Sequence, residues 1–379
     1  MKGNFKMDKR DAYLWLYGVV GCNNLTIDKI EREMPGTKDI FDFSEKTIYN
    51  LERVNDKVKS SIINYKNNMN VDDYKELLYK KNVKYSVIGD DDYPYKLANI
   101  YDAPKVLFYK GNLSALGKHF SIGIVGSRKP TVYGAECTKK LARELSDYGA
   151  DIISGLAIGV DAISHEASLL GKGKTFGVLG SGIDNPLPKT NIWLMNKIVD
   201  SGGAVISEHG INKKVHPHYF ANRNRIISGL SDGVIIVEAA KKSGALITAE
   251  FAAEQGRSVF AVPGSIFSEN SKGCHRLIKE GAKLTENIDD VLEEFEVFKF
   301  KALEKEIKYD TIEKADINAD LEDDENILVD IIRKNGSIDM DSLCLKTKFG
   351  IEKINPIVEK LKLYDLIFEI EKGVYSMKI

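Results

Sequence analysis

Residues 121–130 read Ser-Ile-Gly-Ile-Val-Gly-Ser-Arg-Lys-Pro, a short apolar run that stops at a Gly–Ser turn, and a helix-compatible stretch follows from Thr131 to Tyr148. The same order recurs along the chain. Runs at Asp151–Ser154, Thr175–Leu179, Ala204–Ser207, Gly233–Val237 and Ser258–Val262 each lead through a turn into a longer helical pattern. Strand, turn and helix in alternation is the rhythm of βαβ units. Runs that are apolar throughout suit parallel strands covered on both faces. The prediction is an α/β chain with a Rossmann-like, doubly wound, mostly parallel sheet, whose ligands sit beyond the carboxyl ends of the strands.

The turns after those runs therefore hold the chemistry. Gly126-Ser127-Arg128 places a small turn at a helix N-terminus, where backbone N–H groups approach an anion and Arg128 adds a bidentate phosphate contact. The alternative is an ordinary βα turn with a solvent-exposed Arg, and no GxGxxG fingerprint is present. The second run leads into Ser154-Gly155-Leu156-Ala157-Ile158-Gly159-Val160-Asp161, with Asp161 and His165 one helical turn apart. A metal pair is conceivable there, yet no third ligand has suitable spacing, and the helix macrodipole already accounts for an Asp in the first turn. No metal ligand is assigned. Gly180-Ser181-Gly182 favours close backbone approach over side-chain chemistry.

The fourth run is followed by Val215-His216-Pro217-His218-Tyr219-Phe220-Ala221-Asn222-Arg223-Asn224-Arg225. Aromatic rings stack on bases of any sequence, for about 1–3 kcal/mol per base, while interleaved guanidinium heads neutralise phosphates. Together they describe a single-strand groove. The competing reading makes Phe220 a core anchor and pairs Arg223 with a carboxylate such as Glu208 or Glu238. Lys241-Lys242-Ser243-Gly244, with Thr248 one turn into the helix, repeats the anion geometry of the first turn with two hydroxyls added. The sixth run ends in Pro263-Gly264-Ser265. Cys274 and His275 point different ways on a helix, so no nucleophile–base dyad forms there and no catalytic residue is assigned.

Composition bounds the rest. In 379 residues, 54 Lys and Arg against 56 Asp and Glu exclude a polycation held to nucleic acid by bulk charge, and a 43% hydrophobic content excludes a wholly disordered chain. Four cysteines, each more than fifty residues from the next, have neither zinc-finger nor thioredoxin spacing and read as buried free thiols in a reducing cytosol. The start, MKGNFKMDKRDAYLWLYGVV, is charged through its first eleven positions, which argues for a cytoplasmic protein with no membrane association.

Four regions are expected: a helical domain over 1–75, a Rossmann-like domain over 76–293, a charged linker over 294–322, and a C-terminal domain over 323–379. In the first, a helix over Ala12–Val20, the turn Gly18-Val19-Val20-Gly21 and a helix from Thr26 to Met34 are similar to helix-hairpin-helix or sterile-alpha-motif (SAM)-like modules; a structural bundle is the alternative, because basic residues are scarce around the turn. In the last, helices over Glu325–Lys334, Met340–Thr347 and Ile351–Lys362 and a hairpin of Ile367–Ile370 with Val374–Met377 read as a winged helix. Its third helix has mixed charge, which suits a protein contact or auxiliary role at least as well as a duplex groove.

Six segments in register, GIVGSRKPTVYG, ISGLAIGVDAISHEASL, VLGSGID, FANRNRIISGLS, VIIVEAAKKSGALITAEFAAEQGR and FAVPGS with KGCHRLIKEGA, resemble the DNA processing protein A (DprA, or Smf) family, and YSVIGDDDYPYKLANIYDAPKVLFYKGNL resembles its lead-in. The resemblance implies a protein without turnover or cofactor that binds and protects single-stranded DNA without sequence preference, loads the RecA recombinase during natural transformation, and forms a homodimer through the Rossmann-like domain. It implies that Ser127, Arg128, Phe220, Arg223, Asn224, Arg225, Ser243, Gly244 and Thr248 line the DNA groove; Gly126, Gly155, His218 and Gly264 complete the expected set. Two departures stand out. Ile158 replaces a cation that the family commonly carries, and the basic residue often found before the Phe is replaced by Pro217 and His218, which shifts weight to Lys213, Lys214 or the histidines. Residues 118–293 hold 21 Lys and Arg against 19 Asp and Glu, so any attraction for phosphate is local. The other classes that fit are a nucleotide-handling hydrolase of the phosphoribohydrolase type, using Glu250 or Glu238, and a nucleotide-sensing domain.

Overall fold

Each of the six apolar runs becomes a strand because each is flanked by helices that bury both of its faces. A computed structural model describes residues 8–33, 44–68, 70–295, 323–335, 337–364, 366–371 and 373–377. The chain divides into two compact units, Met1–Glu304 and Lys305–Ile379. In the first, strands β1 (Lys84–Val87), β2 (Val106–Gly111), β3 (Ser121–Val125), β4 (Asp151–Ser154), β5 (Thr175–Leu179), β6 (Ala204–Ser207), β7 (Gly233–Ile236), β8 (Ser258–Ala261) and β9 (Lys283–Leu284) form one sheet. Its order is β1-β2-β6-β5-β4-β3-β7-β8-β9. From β6 to β9 every neighbouring pair is parallel, and β1 and β2 close one side antiparallel. The fold is α/β with a mostly parallel sheet, as expected. The strands β1, β2 and β9 were not expected, and Val237 and Val262 lie just past their strands.

Alternate residues of β3 point to opposite layers. Ile122 and Ile124 join Leu141 and Leu145 of the helix Val132–Tyr148 and Val160 of the helix Val160–Ser168. Val125 faces the other layer, which contains Ile226 of the helix Asn224–Leu230, Leu246 of the helix Gly244–Glu254 and Leu277 of the helix Lys272–Lys279. Thr131 starts the long helix by accepting the Gly134 N–H at 3.1 Å, and Gly149 ends it in the left-handed region at φ 98°.

The N-terminal helices share a core with the sheet. Trp15, Leu16 and Tyr17 of the helix Lys9–Val20 pack in one cluster with Phe108 of β2, Val205 of β6 and Leu194 of the helix Ile192–Asp200. The Gly210 N–H donates to the Tyr17 hydroxyl at 2.7 Å. Gly18 through Val20 are helical, so the expected four-residue hairpin turn reduces to Gly21 at φ 65°, whose N–H bonds back to the Tyr17 carbonyl. Lys213 Nζ lies close enough that a Cβ on Gly21 would be 3.1 Å from it. This turn thus already has a cation of the same chain against it.

The second unit contains helices Asp323–Asn335, Met340–Thr347 and Ile351–Leu363 with strands β10 (Ser337–Asp339), β11 (Ile367–Glu371) and β12 (Val374–Met377) in the antiparallel order β10-β12-β11. Leu328, Ile332, Leu343, Ile354, Val358 and Tyr375 form its core. Strand β10 was not expected. Residues 296–322, most of the predicted linker, lie outside the described residues. Cys274 is buried, whereas Cys22, Cys137 and Cys344 are half-buried, so the expectation of buried thiols holds for one of the four. Among the described residues no helix is long and apolar enough to cross a membrane.

Candidate nucleic-acid interface

The carboxyl ends of β3, β4 and β7 open into a cleft of about 400 Å³. Gly126, Ser127 and Arg128 form one wall, Ser243, Gly244 and Thr248 the opposite one, and Phe220, Arg223 and Asn224 lie between them. The sheet topology explains the meeting. The chain after β3 and the chain after β7 leave neighbouring strands at the same end, so turns more than a hundred residues apart face each other.

Arg128 is exposed at the cleft and belongs to no ion pair among the described residues. Ser127 Oγ accepts the Lys129 N–H at 3.1 Å, which fixes the turn below it. Across the cleft, Ser243 Oγ accepts the Ala245 N–H at 3.3 Å and starts an eleven-residue helix. Nothing lies within 4 Å of a Cβ placed on Gly244, so this helix end faces open space. Thr248 lines the cleft but is only 1% exposed, and among the described residues its hydroxyl has no hydrogen-bond partner.

The floor is a buried charge cluster. Arg223 is 5% exposed; its Nη1 donates to the Gly155 and Val178 carbonyls and its Nε to Asn224 Oδ1 at 3.1 Å. Gly155 does not line the cleft; it makes room for this guanidinium, which any Cβ there would strike. Asp161 lines the cleft beside Arg223, and burial pushes its carboxyl upward against the pull of Arg223 and Arg128. Sequence reasoning assigned Asp161 no role in the cleft, although a carboxylate in the turn after β4 was its visible mark.

Phe220 is half-buried: its Cα would stand 2.9 Å from a Cβ on Gly180, and it also lines the cleft. It is thus a packed residue with one side open. Asn224 lines the cleft and donates from Nδ2 to the Gly244 carbonyl at 3.2 Å, tying floor to wall.

Besides Gly155, three expected contacts lie elsewhere. Arg225 points away from the cleft into the core, where Nη2 meets Glu208 Oε2 at 2.6 Å and Nε meets Asp102 Oδ2 at 3.2 Å. The ion pair anticipated for Arg223 thus belongs to Arg225: the backbone stays helical at Arg223, between the short helices Pro217–Asn222 and Asn224–Leu230, and positions two apart on a helix point to opposite sides. His218 is exposed and stacks with His216 at 5.7 Å and edge-on with Tyr219 at 4.5 Å, outside the cleft lining. Gly264 supports the neighbouring loop, its carbonyl 3.0 Å from His275 Nε2. His165, considered with Asp161 as a metal pair, turns to Thr175 Oγ1 at 2.6 Å. Among the described residues no group of three His, Cys, Asp or Glu is arranged to hold a metal ion.

Sequence reasoning also missed what Glu238 does. Two residues past β7 and 3% exposed, its Oε2 accepts the Thr131 N–H at 2.9 Å and its Oε1 the Thr131 hydroxyl at 2.6 Å. It therefore holds Thr131, the N-cap residue of the helix that follows the Gly126–Arg128 turn.

A doubly wound sheet with a cleft at its carboxyl edge, lined by Arg128, Arg223 and Phe220, defines a protein of the Rossmann-like class. Residues 84–296 match the family model described as DNA recombination-mediator protein A, and the chain belongs to that family of DNA-processing proteins. The DNA processing protein DprA of Streptococcus pneumoniae is 47% identical over 218 residues, 58% of this chain and 76% of that protein. The X-ray structure of DNA processing protein A from the same species covers 75% of this chain and 97% of its own at 36% identity, with a TM-score of 0.63. DNA processing protein A from Helicobacter pylori, whose structure is described as giving insight into its single-stranded DNA binding mode, covers 57% of this chain and 97% of its own at 30% identity, with a TM-score of 0.51.

Proposed function

We propose that this protein binds single-stranded DNA without sequence preference, as a non-enzymatic mediator of recombination in the cytoplasm. The supporting observation is that one cleft brings together an unpaired exposed Arg128, the open side of Phe220, an open helix end at Ser243–Gly244 and the unsatisfied Thr248 hydroxyl. Charge for the backbone, a ring for a base and uncommitted polar groups are what a single strand requires. Gly126, Ser127, Arg128, Phe220, Arg223, Asn224, Ser243, Gly244 and Thr248 remain the proposed contacts. The structure offers Gly155, Arg225 and Gly264 only supporting parts, and His218 an outlying one.

In the same reading, the protein protects the strand, hands it to RecA during natural transformation, and pairs as a homodimer through the Rossmann-like domain. Its four-part plan is a helical SAM-like domain over 1–75, the binding domain over 76–293, a linker over 294–322 and a winged helix over 323–379 that serves a partner. A nucleotide hydrolase finds less support: Glu250 is exposed and 3.7 Å from Arg276, and Glu238 is committed to Thr131. Titrating labelled oligo-dT, with nucleoside monophosphates incubated in parallel, tests the assignment. Submicromolar oligo-dT binding with intact monophosphates is expected, and released base without oligo-dT binding would reverse it.

A further inference from the structure

A doubly wound sheet has a natural phosphate position, the N-terminus of the helix that follows a central strand, where free N–H groups and the helix dipole meet an anion. Here that helix is Val132–Tyr148, and the carboxylate of Glu238 stands at its head, bonded to the amide and the hydroxyl of Thr131. Its fit is tight from the other side as well. A Cβ on Gly134 would strike the Glu238 carboxyl carbon, so the glycine in the first turn is what admits it. Glu238 is 3% exposed and forms no ion pair among the described residues, so the helix end is the main compensation of its charge.

We infer that Glu238 is a specificity residue: a built-in anion that fills the mononucleotide phosphate position and leaves the cleft to a nucleic-acid strand. Two consequences follow from charge and volume. A phosphate of a free nucleotide meets a buried negative charge and no space at that helix end. The groups that remain uncommitted, Arg128 on one wall and the open Ser243–Gly244 helix end on the other, lie along the cleft and not at that single point. Spaced cationic and N–H groups suit successive phosphates of a chain better than one terminal pyrophosphate. The assignment to a strand rests on the proposed function; the exclusion of the small anion does not.

Inorganic pyrophosphate is the direct probe. The full-length protein and two variants, Glu238→Ala and Glu238→Ser, are titrated by calorimetry and by thermal shift, with circular dichroism as the check on folding. Wild type is expected to show no saturable pyrophosphate binding at millimolar concentration. Removing the charge and opening the volume should raise pyrophosphate affinity by about tenfold or more, since a unit charge at contact distance outweighs that factor at a partly buried site. The serine variant keeps an oxygen for Thr131 and carries the test if the alanine variant does not fold. The inference is overturned if wild type binds pyrophosphate as well as the variants do, or if a folded variant gains nothing. Oligo-dT binding by the wild type is measured separately; its absence would sink the proposed function while leaving the exclusion at Glu238 to stand or fall on the pyrophosphate result.

Discussion

Arg128 and Arg225 are both arginines of the expected DNA set, and their surroundings give them opposite expectations. Arg128 is exposed and unpaired, so Arg128→Ala should weaken oligo-dT binding and lower the slope of log affinity against log salt by about one, with an unchanged melting temperature. Salt titration of the variant checks it; an unchanged slope and affinity would remove Arg128 from the interface. Arg225→Ala leaves the buried Glu208 and the half-buried Asp102 without their cation and should cost about 3–5 kcal/mol of folding stability, read as a lower urea midpoint. A folded Arg225→Ala variant that melts normally but has lost DNA would restore Arg225 to the site. Phe220→Ala should lose about 1–3 kcal/mol of oligo-dT binding with little change in salt slope, because stacking and not charge is removed. A steep fall in melting temperature with intact affinity would instead make Phe220 a core anchor. Gly126, Ser127 and Arg128 were legible as cleft residues because they follow a strand end, whereas Asp161 was not given a place there. Which of Arg223 and Arg225 meets the carboxylates was not legible: the helical period puts positions two apart on opposite sides, but it does not say which side carries Glu208 and Asp102.

Among the elements, the six strands were readable because burial on both faces demands unbroken apolar runs. Strands β1 and β9 were not, because β1, Lys-Tyr-Ser-Val, is not an unbroken apolar run and β9 spans only two residues, the first a lysine. The helix Val160–Ser168 docks on β5 through His165, which is fully buried and meets the Thr175 hydroxyl with Nδ1 at 2.6 Å. Burial, with a smaller push from Arg223, lowers its pKa from 6.5 to about 3. The unfolded chain therefore binds a proton there that the folded chain refuses. The contribution of this docking is whole above about pH 6.5 and is lost as pH falls toward 3. Asp151 acts in the opposite sense: burial raises it to about 7, so its effect on stability turns unfavourable as pH climbs from 3.8 through that value. Comparing wild type with His165→Asn separates the two, and the wild type should lose more stability between pH 6.5 and 5 in urea titrations. Equal losses in both proteins would show that His165 is not held neutral.

For the molecule as a whole, the proposed contacts all lie within the unit Met1–Glu304, and the unit Lys305–Ile379 has its own core. A fragment of residues 1–304 is accordingly expected to keep most of the oligo-dT affinity of the full chain. If it is folded by circular dichroism yet binds no oligo-dT, the C-terminal unit is part of the DNA site and the assignment of the cleft is wrong. The composition of the chain foretold this concentration of function only in part. A near-neutral charge balance says that attraction must be local, but only the parallel pairing of β3 with β7 brings the local groups together. The ends of the large sheet have a separate consequence. One outermost strand, β1, is four residues long and the other, β9, is two, so a foreign segment arriving at either edge finds only a few backbone groups to pair with. Such short edges give a poor template for strand addition, the step by which neighbouring molecules zip into aggregates, and the nine-stranded sheet is thereby protected at high protein concentration.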